Sequence, residues 1–105
     1  MAKMEMLSPD LVEKGTILKR KLAVLGDYEI GILMVHPHSK IKMHEHIGCW
    51  EIYVDIPYGI IIDICEIGDS HEFSNYSDNP RDILYIKGYN GVPIPNEKEI
   101  SEFIS

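Results

Sequence analysis

Three histidines and one glutamate lie within residues 44–75 at spacings that suit a metal site. His44 and His46 are two positions apart, Glu51 follows a glycine, and His71 follows a second glycine turn. Imidazoles and a carboxylate bind divalent transition metals, and this set alone does not choose among Mn, Fe, Co, Ni, Cu and Zn. Four protein ligands on a six-coordinate ion leave two positions open for water or substrate. The residues therefore predict a metal site with room for a small molecule.

A His-x-His pair on its own is weak evidence, because most such pairs are surface histidines. Here side chains alternate along a predicted strand, so His44 and His46 share a face. A bend at Ile47 and Gly48 resets the register, so that Glu51 can point the same way. Other zinc arrangements fit less well, since the sequence has no His-Glu-x-x-His helix and no Cys-x-x-Cys pair.

The elements that must position these residues are short strands. Alternating or apolar runs separated by turn residues predict an all-β sandwich or barrel. Ser8 and Pro9 predict a single capped helical turn over 8–15 that plugs one end of the domain. A short amphipathic helix is expected over 96–104, with Ile100, Phe103 and Ile104 inward. The predicted strands are 17–24, 28–35, 40–46, 49–55, 60–65, 71–74 and 82–87.

The chain resembles the cupin superfamily of small jelly-roll barrels. The first cupin motif contains His-x-His followed by a Glu, and His44, His46 and Glu51 match it with four residues between His46 and Glu51. The second motif ends Gly-x-x-His-x-x-x-Asn, and Gly68, His71 and Asn75 match it. The resemblance covers roughly residues 15–90 and implies a single domain, 1–105, with terminal extensions packed on the barrel. It implies that the two motif-one histidines, the glutamate and the motif-two histidine bind the metal.

The sequence departs from the family pattern at three places. His38 stands where the first motif expects glycine, and Glu66 stands where the second motif has proline. Only 19 residues separate Glu51 from His71, which is short for a cupin. The barrel should then be smaller or open at one side, with unpaired strand edges that proteins usually cover. We therefore expect a homodimer whose partner covers that edge.

Two further residues are candidate acid/base groups. Tyr53 shares the predicted face of Glu51, so it either lines the cavity or is an ordinary core tyrosine. Asp63 is the one charge in the apolar run 60–65, which we otherwise expect to be a buried central strand. A buried carboxylate needs a partner, so Asp63 either pairs with Arg81 or Lys42 or points into the cavity.

Composition narrows the class of partner. The chain has 105 residues, 45% of them apolar, which suits one globular domain. It has 10 Lys+Arg against 17 Asp+Glu, a net charge of −7, which argues against nucleic-acid and anionic-membrane partners. No signal peptide or membrane-length apolar segment is recognisable. We expect a cytoplasmic protein whose cysteines, Cys49 and Cys65, are free thiols.

Two functions remain open at this stage. The first is a metalloenzyme that acts on a small molecule by Lewis-acid or dioxygen chemistry, as an oxidoreductase, isomerase or lyase. The second is a non-catalytic, metal-dependent module that binds or senses a sugar or organic acid. A cupin with a vestigial site ranks last, because all four ligands are present. Fold analogy does not choose the reaction.

Overall fold

The computed structural model describes residues 4–89 and 91–104, with side chains described through residue 102. In this part of the chain, nine strands, one 3-10 helix and one α-helix follow one another with short connections. No helix among these residues has the length and apolar character needed to cross a membrane. The strands are β1 (Glu5–Met6), β2 (Val12–Lys14), β3 (Ile17–Leu25), β4 (Tyr28–Val35), β5 (Ser39–Glu45), β6 (Cys49–Asp55), β7 (Ile60–Cys65), β8 (Ser70–Asn75) and β9 (Arg81–Tyr89); the 3-10 helix is Pro9–Leu11 and α1 is Glu97–Ile104.

The strands form two antiparallel sheets. The larger has the order β1-β3-β4-β9-β6-β7 and the smaller the order β2-β5-β8. Their facing sides share one apolar core, because the alternation of each strand turns its apolar residues inward. The larger sheet contributes Leu33, Tyr53 and Ile83, and the smaller sheet contributes Ile41 and Phe73. This arrangement confirms the predicted all-β fold of small jelly-roll type.

The other face of the larger sheet is also apolar, and the C-terminal segment covers it. Trp50 is 1% exposed and its indole N–H donates to the Val92 carbonyl oxygen at 2.6 Å. Ile100 of α1 packs into the same cluster. The predicted C-terminal helix and the inward position of Ile100 are thus confirmed. The side chains of Phe103 and Ile104, which were expected inward as well, lie outside the described part of the chain.

The N-terminal turn is shorter than the sequence pattern indicated. Ser8 caps the 3-10 helix by accepting from the Asp10 N–H. The prediction extended this turn to Gly15, but β2 follows at once and pairs with β5. Pairing with a neighbouring strand outweighs the weak tendency of so short a segment to stay helical. Leu7 and Leu11 line the cavity that is described below.

The prediction that residues 60–65 form a buried central strand was wrong. Among the described strands, β7 lies at the end of the larger sheet and pairs with β6 alone. Ile60, Ile62 and Ile64 are 60%, 37% and 39% exposed. An apolar run indicates burial on both faces, yet no further strand of the described part of the chain lies beside β7, because the connection between the motifs is short. β8 ends the smaller sheet in the same way, so the fold is open between β7 and β8.

Candidate metal centre

The four predicted ligands converge from both sheets. His44 on β5 lies directly opposite His71 on β8 in the smaller sheet. Glu51 comes from β6 of the larger sheet. His46 lies in the turn after β5, where its N–H donates to the Asp69 carbonyl at 3.2 Å. Strands of both sheets and the turn after β5 therefore bring the four side chains together.

Glycine turns set two of these positions. Gly48 has φ +77° and Gly68 has φ +87°, a region that L side chains adopt only at a cost. Gly68 also donates its N–H to the His46 carbonyl at 2.8 Å, which ties the two turns together. The bend predicted before Glu51 is therefore present, and it places that carboxylate on the histidine side of β6.

The donor atoms form a compact group. The three histidine Nε2 atoms lie 2.8–3.1 Å from one another. Glu51 Oε1 lies 3.1 Å from His46 Nε2 and 3.2 Å from His71 Nε2. All four donor atoms lie within 4.8 Å of one another. Neighbouring corners of an octahedron with bonds of about 2.1 Å are about 3.0 Å apart, so the group has the size of a metal shell.

The second ring nitrogen of each histidine, Nδ1, explains why a cation suits the space between the Nε2 atoms. Every Nδ1 atom has a partner, and two of these partners, a carbonyl and a carboxylate, can only accept. In their neutral form, His44 and His71 therefore carry their proton on Nδ1, and their Nε2 lone pairs then face one another. Facing lone pairs repel unless a positive charge lies between them. The Nδ1 partners of His44, His46 and His71 are the Lys42 carbonyl oxygen at 2.7 Å, Cys49 Sγ at 3.3 Å and Asp63 Oδ2 at 2.8 Å.

The electrostatics of the group suit a bound cation as well. Burial raises the pKa of Glu51, but the close contacts of its carboxylate with His46 and His71 and the charge of Lys87 outweigh this, so the pKa lies below its ordinary value. Glu51 is thus ionised at neutral pH. Burial lowers the pKa of His44. Burial also lowers the pKa of His71, but the carboxylates of Glu51 and Asp63 raise it further than burial lowers it.

A cavity of about 270 Å³ opens beside the donor atoms, slightly below the usual size of ligand pockets. Tyr53 lines it and also belongs to the buried core, so both interpretations of this residue describe it. Its ring stacks on His71 with centroids 4.8 Å apart. Burial and the charge of Glu51 raise the pKa of Tyr53, so the phenol stays neutral. Besides Tyr53, His44, His46, Glu51 and Glu45, the lining consists of Leu7, Leu11, Lys19, Leu33, Ile41, Ile47, Cys49, Tyr85 and Lys87.

Asp63 has a different partner from those the sequence suggested. It lies opposite Tyr53 in the strand pairing, and its Oδ2 accepts from His71 Nδ1. Arg81, one expected partner, pairs with Asp55. Asp63 is not among the residues that line the cavity. Its contact orients a histidine ring rather than a substrate.

Asn75 and His38, two further residues of the motif region, lie away from the donor group. Asn75 is buried and its amide donates to the Val35 carbonyl at 3.0 Å and the Asn79 carbonyl at 2.8 Å, so it fixes the turn that follows β8. His38 pairs with Asp78 at 2.8 Å on the surface. Neither belongs to the four-residue group.

Sequence reasoning missed the two lysines of the cavity. Lys87 lies directly opposite Glu51 in the pairing of β6 with β9. Directly opposed residues share a face, so the strand assignment could have indicated this neighbour once the pairing was known. Lys19 comes from β3, and no local motif marks it.

No protein-family model matches the sequence, and a search of curated proteins finds no match. Solved structures do match in fold. A predicted oxalate decarboxylase from Thermotoga maritima is 20% identical with a TM-score of 0.67, over 85% of this chain and 94% of that one. A Cupin 2 conserved barrel domain protein from Salinispora arenicola is 12% identical with a TM-score of 0.58, over 96% and 94%. A similar protein from Rhodopseudomonas palustris is 9% identical with a TM-score of 0.57, over 98% and 90%.

Proposed function

Because the chain has the cupin fold, we propose that it binds one divalent transition metal ion through His44, His46, Glu51 and His71. The observation that carries this proposal is the pairing of each Nδ1 atom, which leaves three Nε2 atoms and a carboxylate oxygen directed at one point. Such an ion would supply Lewis-acid polarisation of a carbonyl or carboxylate, or activation of dioxygen. The donor set fits Mn, Fe, Co, Ni, Cu or Zn.

We further propose that the protein is a metalloenzyme acting on a small molecule. An enzyme of this kind needs a proton donor or acceptor beside the substrate. Tyr53 lines the cavity and is neutral, so its hydroxyl is suited to donate a hydrogen bond to a bound substrate. Asp63, the other acid/base candidate, is better suited to positioning His71, because its carboxylate already accepts from that ring.

A non-catalytic binding or sensor module is the alternative. The observation in its favour is the small cavity, in which most of the lining beyond the donor group is apolar. The two functions differ in turnover, so metal-loaded protein should be incubated with small acids and carbonyl compounds while dioxygen and products are followed. Tyr53→Phe should lower turnover roughly 100-fold or more and leave metal content unchanged. Tight binding of a compound without conversion would favour the sensor.

We propose that the protein is a homodimer that buries the open side of the fold. Among the described strands, β7 is an edge on which Ile60, Ile62 and Ile64 are exposed, and its one charge, Asp63, points to the donor group. Soluble proteins usually protect such an edge with lysine, proline or a covering segment. A second copy of the chain, paired through the same strand, would cover these side chains symmetrically.

The remaining proposals concern partners and location. We propose a small-molecule ligand and no nucleic-acid partner, which the net charge of −7 supports. A cytoplasmic location is supported by Cys49 and Cys65, which are both unpaired thiols. Burial raises the pKa of Cys49, and it raises the pKa of Cys65 to about 11, so both are ordinary buried thiols. We also propose that residues 1–105 act as one domain, since Leu7 of the N-terminal segment and Ile100 of α1 pack on the two faces of the larger sheet.

A further inference from the structure

The cavity beside the donor group carries positive charge inside an acidic protein. Among the described residues, Lys19 and Lys87 are the cations that line it, and both project from the inner face of the larger sheet. Their side chains are 30% and 19% exposed. Lys87 Nζ lies 3.9 Å from Glu51 Oε2, close enough to the donor group to meet a molecule bound there.

The carboxylates nearby do not balance these charges once a metal is present. Glu29 accepts from the Tyr85 hydroxyl at 2.7 Å and is shared between Lys19 at 3.4 Å and Lys21 at 3.5 Å. Glu29 also lies opposite Lys87 in the pairing of β4 with β9, so this one carboxylate is shared among three lysines. A divalent ion would compensate Glu51, the other carboxylate beside Lys87 among the described residues. Glu45, the other acidic residue on the lining, is exposed. A half-buried ammonium group without an anion is unfavourable, so the cavity favours a negatively charged occupant.

The rest of the lining limits what that occupant can be. The volume of about 270 Å³ admits only a small molecule. Leu7, Leu11, Leu33 and Ile41 offer apolar contacts, which suit a short carbon chain. A sugar would need hydrogen-bond partners for several hydroxyl groups, and these side chains provide none.

We propose that the cavity selects a small organic acid, with Lys87 and Lys19 pairing with its carboxylate beside the metal. This inference rests on the proposed metal site and names the class of molecule that the site takes. Lys87 is then a specificity-determining residue, because a carboxylate bound near Glu51 lies within its reach. Lys19 assists from β3, where Glu29 already shares part of its charge.

Binding of matched probes to the cobalt(II)-loaded protein tests this inference. Lactate, lactamide and glycerol have similar size and differ in charge and hydroxyl content, and the visible absorption of cobalt reports their binding. Lactate should bind roughly tenfold or more tightly than lactamide, because a hydrogen bond to a charged partner is worth that much. Glycerol should bind most weakly. Equal affinity for lactate and lactamide, or a preference for glycerol, would overturn the inference.

Variants assign the selectivity to particular side chains. Lys87→Met should weaken lactate binding roughly tenfold and leave lactamide unchanged, Lys87→Arg should retain selectivity, and Lys19→Met should have a smaller effect. Lys21→Met is the matched control, because Lys21 also pairs with Glu29 but does not line the cavity.

Unaltered selectivity in both Lys87→Met and Lys19→Met would contradict the inference. If Lys87→Met fails to fold, the selectivity of Lys19→Met and of the wild-type protein decides. Cobalt content, measured first, separates the two proposals: wild-type protein without cobalt refutes the metal site, whereas full cobalt without discrimination refutes this inference alone.

Discussion

At the scale of single residues, the partner of each imidazole decides what the histidine cluster can do. A histidine with a free Nδ1 atom can change tautomer and share protons with its neighbours. Here Nδ1 of His71 is engaged by Asp63 and Nδ1 of His44 by a backbone carbonyl. The rings are therefore held in one tautomer and one orientation before any ion arrives. This preorganisation distinguishes a built site from three histidines that happen to lie close together.

Replacement of Asp63 by alanine should weaken metal binding without removing any ligand. Partners of metal-binding histidines typically contribute 10- to 100-fold in affinity, so we expect a loss in this range. Competition against a chromogenic chelator measures the affinity, and Glu66→Ala, at a neighbouring exposed position, is the control. An Asp63→Ala protein with wild-type affinity would show that Asp63 does not position His71.

Glu29 gives a second prediction, which concerns stability and pH. Burial raises its pKa, but the hydrogen bond from Tyr85 and the charges of Lys19 and Lys21 outweigh this, so the pKa lies below its ordinary value of 4.5. A lowered folded-state pKa stabilises the protein above the unfolded-state pKa, and this contribution is lost as pH falls through the folded-state value. Glu29→Gln should therefore destabilise the protein by about 1–3 kcal/mol near neutral pH.

The difference in unfolding free energy between wild-type protein and Glu29→Gln should shrink on acidification, because the wild-type carboxylate is then protonated. Urea unfolding of both proteins near pH 7 and near pH 3 measures it, and Glu72→Gln, which removes a more exposed pair with Lys40, serves as the control. A difference that stays constant or grows at low pH would contradict the assignment.

At the scale of elements, the strands carry the site because each buries its two faces differently. β6 turns Glu51 and Tyr53 toward the cavity and Trp50 toward α1. The close fit on the outer face depends on Gly88 of the neighbouring β9, where an added Cβ would lie 2.3 Å from the Trp50 ring. The register that places Lys87 opposite Glu51 is thus fixed from the other side of the sheet.

Gly88→Ala should disturb this fit. Overpacking of a filled core typically costs about 1–3 kcal/mol, so we expect a loss of that size in the free energy of unfolding. In a Trp50→Phe background, the same substitution should cost less, because the ring atoms that would collide are absent. Thermal or urea unfolding of the four proteins in this cycle measures the coupling. Equal costs in both backgrounds would show that the indole does not set the fit.

The sequence could predict the elements better than their neighbours. Alternation located β4 and β6 to the residue, and the two motifs located all four donor residues. Alternation does not report which strand lies beside which, so β7 was predicted to be central although it forms an edge. For the same reason Lys19 and the partner of Asp63 were missed, since both depend on contacts between strands that are distant in sequence.

At the scale of the whole molecule, the short connection between Glu51 and His71 explains the open side. The smaller sheet has three strands and the larger has six, so β7 and β8 have no outer neighbour among the described residues. Exposed Ile62 and Ile64 lie on this edge. A solvent-exposed apolar edge favours association, and pairing with a second copy is the symmetric solution.

Lysine side chains introduced on this edge should therefore prevent the two protomers from associating. We expect the wild-type protein to be a dimer at micromolar concentration and Ile62→Lys with Ile64→Lys to be a monomer, because a lysine cannot be buried without a partner. Light scattering coupled to size-exclusion chromatography measures the mass. Leu22→Lys with Val24→Lys, on exposed positions of β3, is the control and should remain dimeric. A monomeric wild-type protein would contradict the dimer.

The metal content of the purified protein tests the central claim most directly. Wild-type protein dialysed against a divalent transition metal and then against buffer should retain about one ion per chain, as four convergent ligands predict. His71→Ala and His46→Ala should retain roughly a tenth of that or less. His38→Ala, which removes a surface histidine paired with Asp78, should retain the wild-type amount. Full metal content in His71→Ala, or none in the wild-type protein, would contradict the assignment of this site.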